Sequence, residues 1–149
     1  MTEKLLNDNI TKQVKEAFDK QLQQPVQVLF FGKQTDCDYC TDTRQLVGEV
    51  VELSDMIEIR DYDLEQDAEI ASQYNVDKAP GLVIAAKDNG QIVDYGIRFA
   101  GIPSGYEFST LIQSLVLVSG RQSGLKEKTR KFLNALKKPV HLLVFTTPT

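Results

Sequence analysis

The chain has 149 residues, 17 of them basic and 21 acidic, for a formal net charge of −4, with 42% hydrophobic and 26% charged residues. A chain of that length can bury about two-thirds of its unfolded surface, so it can build a core without disulfide staples, and its composition argues against disorder. The acidic balance disfavours nucleic acid as a partner, and the lack of an apolar run of about 18 residues or of a signal-like leader disfavours membranes and export; the chain reads as cytoplasmic.

From Lys4 to Leu22, the residues Leu6, Ile10, Val14, Phe18 and Leu22 recur every fourth position, the stripe of an amphipathic helix. Pro25 ends it, and Val26 to Phe31 is a short apolar run of the kind found in a buried strand. A loop over Gly32 to Asp36 leads to a second helix, predicted over Cys37 to Leu53, with Leu46, Val47, Val50 and Leu53 at helical spacing. Gly48 inside it costs about 1 kcal/mol relative to alanine, which would suit a close backbone contact there. Met56 to Tyr62 alternates apolar and charged residues and predicts an edge or half-solvated strand. Asp63 with Gln66 resembles a capping box opening a short helix to about Tyr74. Leu82 to Ala86 reads as a buried strand, Asp88-Asn89-Gly90 as a hairpin turn, and Gln91 to Ala100 as the returning strand. Ser104 with Glu107 suggests a second capping box, for a helix that carries Phe108, Leu111, Ile112, Leu115 and Val116 and stops near Gly120.

This order predicts an α/β fold: a mixed sheet of about four strands, parallel at its start and closed by an antiparallel hairpin, with helices on both faces. Beyond it, Lys126 to Leu136 reads as another amphipathic helix and Pro139 to Phe145 as another apolar strand. Phe132, Leu136, Pro139, Val140, Leu143 and Phe145 match Phe18, Leu22, Pro25, Val26, Leu29 and Phe31 at a constant offset of 114, the distance from Pro25 to Pro139. The expectation is one unit over residues 1–122 and the first helix and strand of a second over residues 123–149, the start of a longer two-unit protein.

Chemistry concentrates at Cys37-Asp38-Tyr39-Cys40, which holds both cysteines of the chain. Two intervening residues on a helical turn bring the sulfurs within reach of a disulfide or of a shared soft metal. Zinc would need four ligands, and the chain adds only His141 to the pair, so a site would require carboxylates, water or a second chain. A passive role is also disfavoured, because Thr35, Asp36, Asp38, Thr41 and Asp42 make a polar setting and so short a loop gains little from closure. Dithiol–disulfide exchange fits best. A cysteine at a helix N-terminus is favoured as thiolate, so Cys37 is the expected nucleophile and Cys40, one turn deeper, the resolving thiol. No metal and no cofactor are expected. Pro80 precedes an apolar strand and its loop would lie at the same sheet end as the cysteines.

Val28-Leu29-Phe30-Phe31, the cysteine motif, Lys78-Ala79-Pro80, the run Phe99 to Phe108 and the closing Leu143 to Thr149 together resemble the protein disulfide oxidoreductases. These are glutaredoxin-like proteins with two fused thioredoxin-fold units, each bearing Cys-x-x-Cys. The resemblance, which runs along essentially the whole chain, implies a thioredoxin/glutaredoxin-like fold and protein disulfides as substrates. It implies Cys37 and Cys40 as catalytic, Pro80 as a cis-proline beside Cys37, and Tyr39, Ala79 and Pro80 as substrate-contacting. An upstream dithiol reductase would be the electron source, and a homodimer is compatible with it. The alternative is a non-catalytic scaffold or binding module whose active second unit lies elsewhere. The chain departs from thioredoxins in having no tryptophan and no carboxylate in Val26 to Phe31. Asp38 beside Cys37 should weaken thiolate stabilisation, so a reducing pair of modest activity is expected. Lys33 and Arg44 are the cations near the loop that could meet glutathione carboxylates, although ordinary solvated surface is their simpler reading.

Overall fold

All seven residues of strand β1, Val26–Gly32, are buried, so this apolar run needs neighbours on both edges and cover on both faces. In the computed structural model, which describes residues 3–147, it has all of these. Strand β2 (Ile57–Asp63) pairs with it in parallel and β3 (Gly81–Asp88) antiparallel, and β4 (Gln91–Ala100) pairs antiparallel with β3, giving the order β2-β1-β3-β4.

The alternation of side chains along β1 divides the interior into two layers. Val26, Val28 and Phe30 face helices α1 (Asp8–Gln21), α2 (Cys40–Val51) and α4 (Tyr106–Ser119), which contribute Val14 and Phe18, Leu46, Val47 and Val50, and Leu111, Leu115 and Val118. Leu29 and Phe31 point the other way, with Val83 and Ala85, toward Ala71 of the short helix α3 (Ala68–Gln73), and Phe31 stacks on Tyr62 at 5.2 Å between ring centroids. Helices therefore cover both faces of a four-stranded mixed sheet, as the sequence predicts.

The hairpin forms as expected, with Asn89 and Gly90 at φ 51° and 79° between β3 and β4. Register shifts within it: Ala85 pairs with Asp94 but Ile84 with Ile97, so Tyr95 and Gly96 bulge out of β4. Asp94 clamps the bulge by accepting from the Gly96 amide (2.9 Å) and from both terminal guanidinium nitrogens of Arg98 (2.9 and 2.6 Å).

Helix ends differ from expectation wherever a side chain or backbone group outcompetes the pattern. The first helix starts at Asp8 instead of Lys4, because the Asn7 side chain accepts from the Ile10 amide (2.9 Å) and caps it. The residues before it stay docked: the Leu5 and Leu6 amides donate to the Glu49 carboxylate (3.0 and 2.8 Å). Asp63 does receive the Glu65 and Gln66 amides (2.9 and 3.0 Å), but this closes a turn, and α3 begins five residues later. The Ser104 capping box is absent; Gly105, at φ 59°, is the N-cap of α4. At the other end of α4 the buried Ser119 hydroxyl accepts from the Gln23 and Gln24 amides (2.8 and 3.0 Å) and donates to the Gln24 carbonyl (2.7 Å), fastening the α1–β1 connection.

Helix α5 (Glu127–Asn134) lies within the predicted Lys126 to Leu136. The strand expected over residues 139–145 does not form. Among the described residues this stretch joins no sheet, and Val140, Leu142, Leu143, Val144 and Phe145 are exposed. An apolar stretch becomes a strand only when a neighbouring backbone takes up its N–H and C=O groups, and neither β2 nor β4 does so here.

Candidate functional site

The loop after β1 passes through Asp36, which adopts φ 54°, and delivers Cys37 just ahead of α2. The predicted helix start at Cys37 is thereby corrected: Tyr39 is the N-cap and Cys40 the first helical residue. The reason is that the Cys37 carbonyl only loosely meets the Cys40 amide, at 3.5 Å, whereas the Tyr39 carbonyl takes the Thr43 amide at 2.9 Å and begins the regular ladder. Cys37 and Cys40 form a disulfide, with Cα atoms 5.5 Å apart. The two partners are not equivalent. Cys37 is half-buried and stands outside the helix, whereas Cys40 is buried, 8% exposed, against Phe30 and Gly32 at the end of β1. The first amides of α2 and its macrodipole favour negative charge at this end of the helix.

Beside Cys40 lies an open cleft of about 450 Å³ lined by Phe30, Gly32, Lys33, Thr41, Arg44 and Gln45. Its two cations are engaged. Lys33 pairs with Glu65 at 2.7 Å, and that hydrogen bond and charge hold its ammonium above the ordinary lysine range. Arg44 makes a two-pronged contact with Asp61 of β2, its terminal nitrogen lying 3.1 Å from the second carboxylate oxygen. Both candidate glutathione contacts are thus committed to internal ion pairs in this structure.

The Ala79–Pro80 peptide bond is cis. Pro80 is buried, and its carbonyl accepts from the Gly101 amide at 2.9 Å, while Gly81 immediately pairs with Phe31. This loop and Cys37 therefore share the sheet end at the C-terminus of β1, and Cys37, Ala79 and Ile102 all pack on the same hydrophobic cluster. Tyr39 is 58% exposed beside the disulfide. His141, the third zinc ligand considered, lies in the unpaired C-terminal stretch, and the described residues contain no group of three or more His, Cys, Asp or Glu suited to a metal.

Two residues at the site escaped the sequence reading. Thr43 is fully buried on α2 with its hydroxyl unpartnered, and only its place one turn after Cys40 hinted at that. Gly81 has no room for a side chain: a Cβ there would lie 2.7 Å from the Lys78 carbonyl oxygen.

No family model matches the chain. The AhpF component of alkyl hydroperoxide reductase in Staphylococcus epidermidis is 27% identical over 135 residues, covering 87% of this chain and 24% of that protein. Among solved structures, a protein disulfide oxidoreductase from Aeropyrum pernix K1 superposes with a TM-score of 0.75 at 24% identity, over 88% of this chain and 55% of that one. The NTD_N/C domain of alkylhydroperoxide reductase AhpF from Enterococcus faecalis V583 gives 0.77 at 23% identity, over 89% and 62%. Fasciola hepatica thioredoxin gives 0.50 at 21% identity, over 72% and 92%. The fold is the thioredoxin fold. The chain spans about a quarter of the length of the curated relatives it matches, and 55% and 62% of the two larger structures.

Proposed function

We propose that this unit is a thiol–disulfide oxidoreductase acting on protein disulfides through Cys37 and Cys40. The observation that carries the reading is the asymmetry of the bridged pair, one cysteine accessible ahead of a helix and the other buried as that helix's first residue. In the reduced pair the Cys37 thiolate attacks a substrate disulfide; a Cys37–substrate bond forms and one substrate sulfur leaves as thiolate. Cys40, as thiolate, then attacks the Cys37 sulfur, forming the internal disulfide and expelling the second substrate sulfur, and both released thiolates take protons from solvent. The two electrons gained by the substrate must be restored by an upstream dithiol. The reading assigns Ala79, cis-Pro80 and exposed Tyr39 to the surface that holds the substrate backbone beside Cys37.

Likeness to a peroxide-reductase component and to a disulfide oxidoreductase supports a redox role within a larger protein. The offset of 114 residues and the exposed apolar residues of 140–145 support the assignment of residues 123–149 to the start of a second unit. Among the described residues no helix is long and apolar enough to cross a membrane. Independently of that, the paucity of cysteines in a chain of this length suits a reducing, cytoplasmic setting, and the unit is compatible with a homodimer. Dithiothreitol-driven insulin reduction tests the catalytic reading. Turnover lost in Cys37→Ser is expected, and a rate indifferent to Cys37 would instead favour a binding module.

A further inference from the structure

The Thr43 hydroxyl has no assigned task, although it is the polar group buried most deeply on the face of α2 that carries Cys40. Thr43 is 0% exposed and its oxygen has no hydrogen-bond partner, not even the Tyr39 carbonyl one turn back, which is taken by the Thr43 amide. A buried hydroxyl is normally satisfied, so an unpaired one calls for a reason. Helical side chains lean toward the N-terminus and neighbours three apart share a face, so Thr43 lies over the turn that starts with Cys40. In the oxidised state Cys40 is tied to Cys37 and its sulfur is uncharged, a weak acceptor. Reduction frees that side chain to change rotamer and turns its sulfur into a charged acceptor.

Other groups offer little help. β1 presents no carboxylate, Lys33 is paired with Glu65, and Arg44 with Asp61. On the loop before the helix, Asp36 and Asp38 disfavour a thiolate, as does Asp42 in its first turn. Resting on the dithiol reading above, we propose that Thr43 is a positioning residue for resolution: its hydroxyl donates to the Cys40 thiolate and holds it ready to attack the Cys37 mixed disulfide. The bond balance is that of the second exchange step, Cys37–Cys40 forming as the Cys37–substrate bond breaks and the substrate sulfur leaves with the electron pair.

The test uses an aromatic disulfide, dithiobis(nitrobenzoate), on the reduced chain, following two successive releases of coloured thiolate by stopped flow. The first reports attack by Cys37 and the second resolution by Cys40. One charge-assisted hydrogen bond shifts a thiol by about one pH unit, so Thr43→Val should raise the Cys40 value by that amount in a Cys37→Ser background. Thiolate then falls about tenfold at neutral pH while nucleophilicity rises about threefold, leaving resolution roughly threefold slower. At a pH above both values the variant should instead resolve roughly threefold faster, a crossing that a packing defect would not produce. Thr43→Ser should restore the parent profile, and the first release should be unchanged in both variants. Parallel profiles in Thr43→Val, or a Thr43→Ser profile like that of valine, would overturn the proposal. Absence of a second release from the parent chain would instead sink the dithiol reading itself.

Discussion

Gly81→Ala probes a close approach between the start of β3 and the loop before it. A Cβ at this position would stand 2.7 Å from the Lys78 carbonyl oxygen, 2.8 Å from a Val76 methyl and 3.8 Å from the Phe31 Cβ. The first of these is backbone and cannot rotate away. Gly81 is also pinned on both sides, paired with Phe31 and with Ala100, so the strand cannot yield without breaking ladder bonds. Overpacking of this kind costs typically 1–3 kcal/mol; taking about 2 kcal/mol, the melting point should fall by roughly 4–8 °C for a chain of this size. Gly48→Ala is the matched control. There the added Cβ meets only the end of the flexible Arg44 side chain at 2.7 Å, so helix propensity should dominate with a gain of up to about 1 kcal/mol. Circular dichroism melting of the two variants and the parent decides the matter. If the two alanines shift the midpoint in the same direction, the argument from backbone versus side-chain contacts is wrong.

Two further outcomes are expected. Ser119→Ala leaves the Gln23 and Gln24 amides and the Gln24 carbonyl without their shared partner, and should cost about 2 kcal/mol in urea denaturation while leaving the slope of the transition unchanged. Acid should destabilise the fold through carboxylates whose native values are depressed. The Arg98 hydrogen bond holds Asp94 low against the opposing effect of burial; at Glu49 burial raises the value but is outweighed by Gln45 and the Leu5 and Leu6 amides. For groups depressed in the folded state, the stabilisation is complete above the unfolded carboxylate value of about 4 and is lost as pH falls through the lower folded values. Urea midpoints measured from pH 6 to pH 2.5 should decline below about pH 4, and the decline should be shallower in Asp94→Asn.

The legible parts of this fold are those set by burial along the chain. Val26 to Phe31 reads as an interior strand and is one, the spacing of Val14 and Phe18 marks the inner face of α1, and Asn89-Gly90 supplies the positive φ angles that the hairpin needs. What depended on contacts distant in sequence was not legible. The start of α2 rests on which carbonyl receives which amide, and Asn7 caps α1 ahead of a stripe that runs on through Leu6. Arg44 and Lys33 read as free cations because Asp61 and Glu65 reach them only after folding. Pairing decided the fate of residues 139–145: their pattern is that of a strand, yet no neighbour takes up their backbone. At the site, the cysteine spacing was plain, but the unequal exposure of the two sulfurs and the buried hydroxyl of Thr43 were visible only in three dimensions.

The bulge at Tyr95 and Gly96 bears on how the molecule behaves in a crowded solution. β4 is an outer strand of ten residues, long enough to template another chain, and a stretch of apolar, strand-forming residues is exposed in the same molecule. Two inserted residues twist its rim out of line, and the Asp94–Arg98 clamp keeps it so. An incoming strand would find half a ladder and then a mismatch. A bulged edge of this kind should resist intermolecular sheet growth, and protonation of Asp94 in acid, which weakens the clamp, should make the edge more available for it.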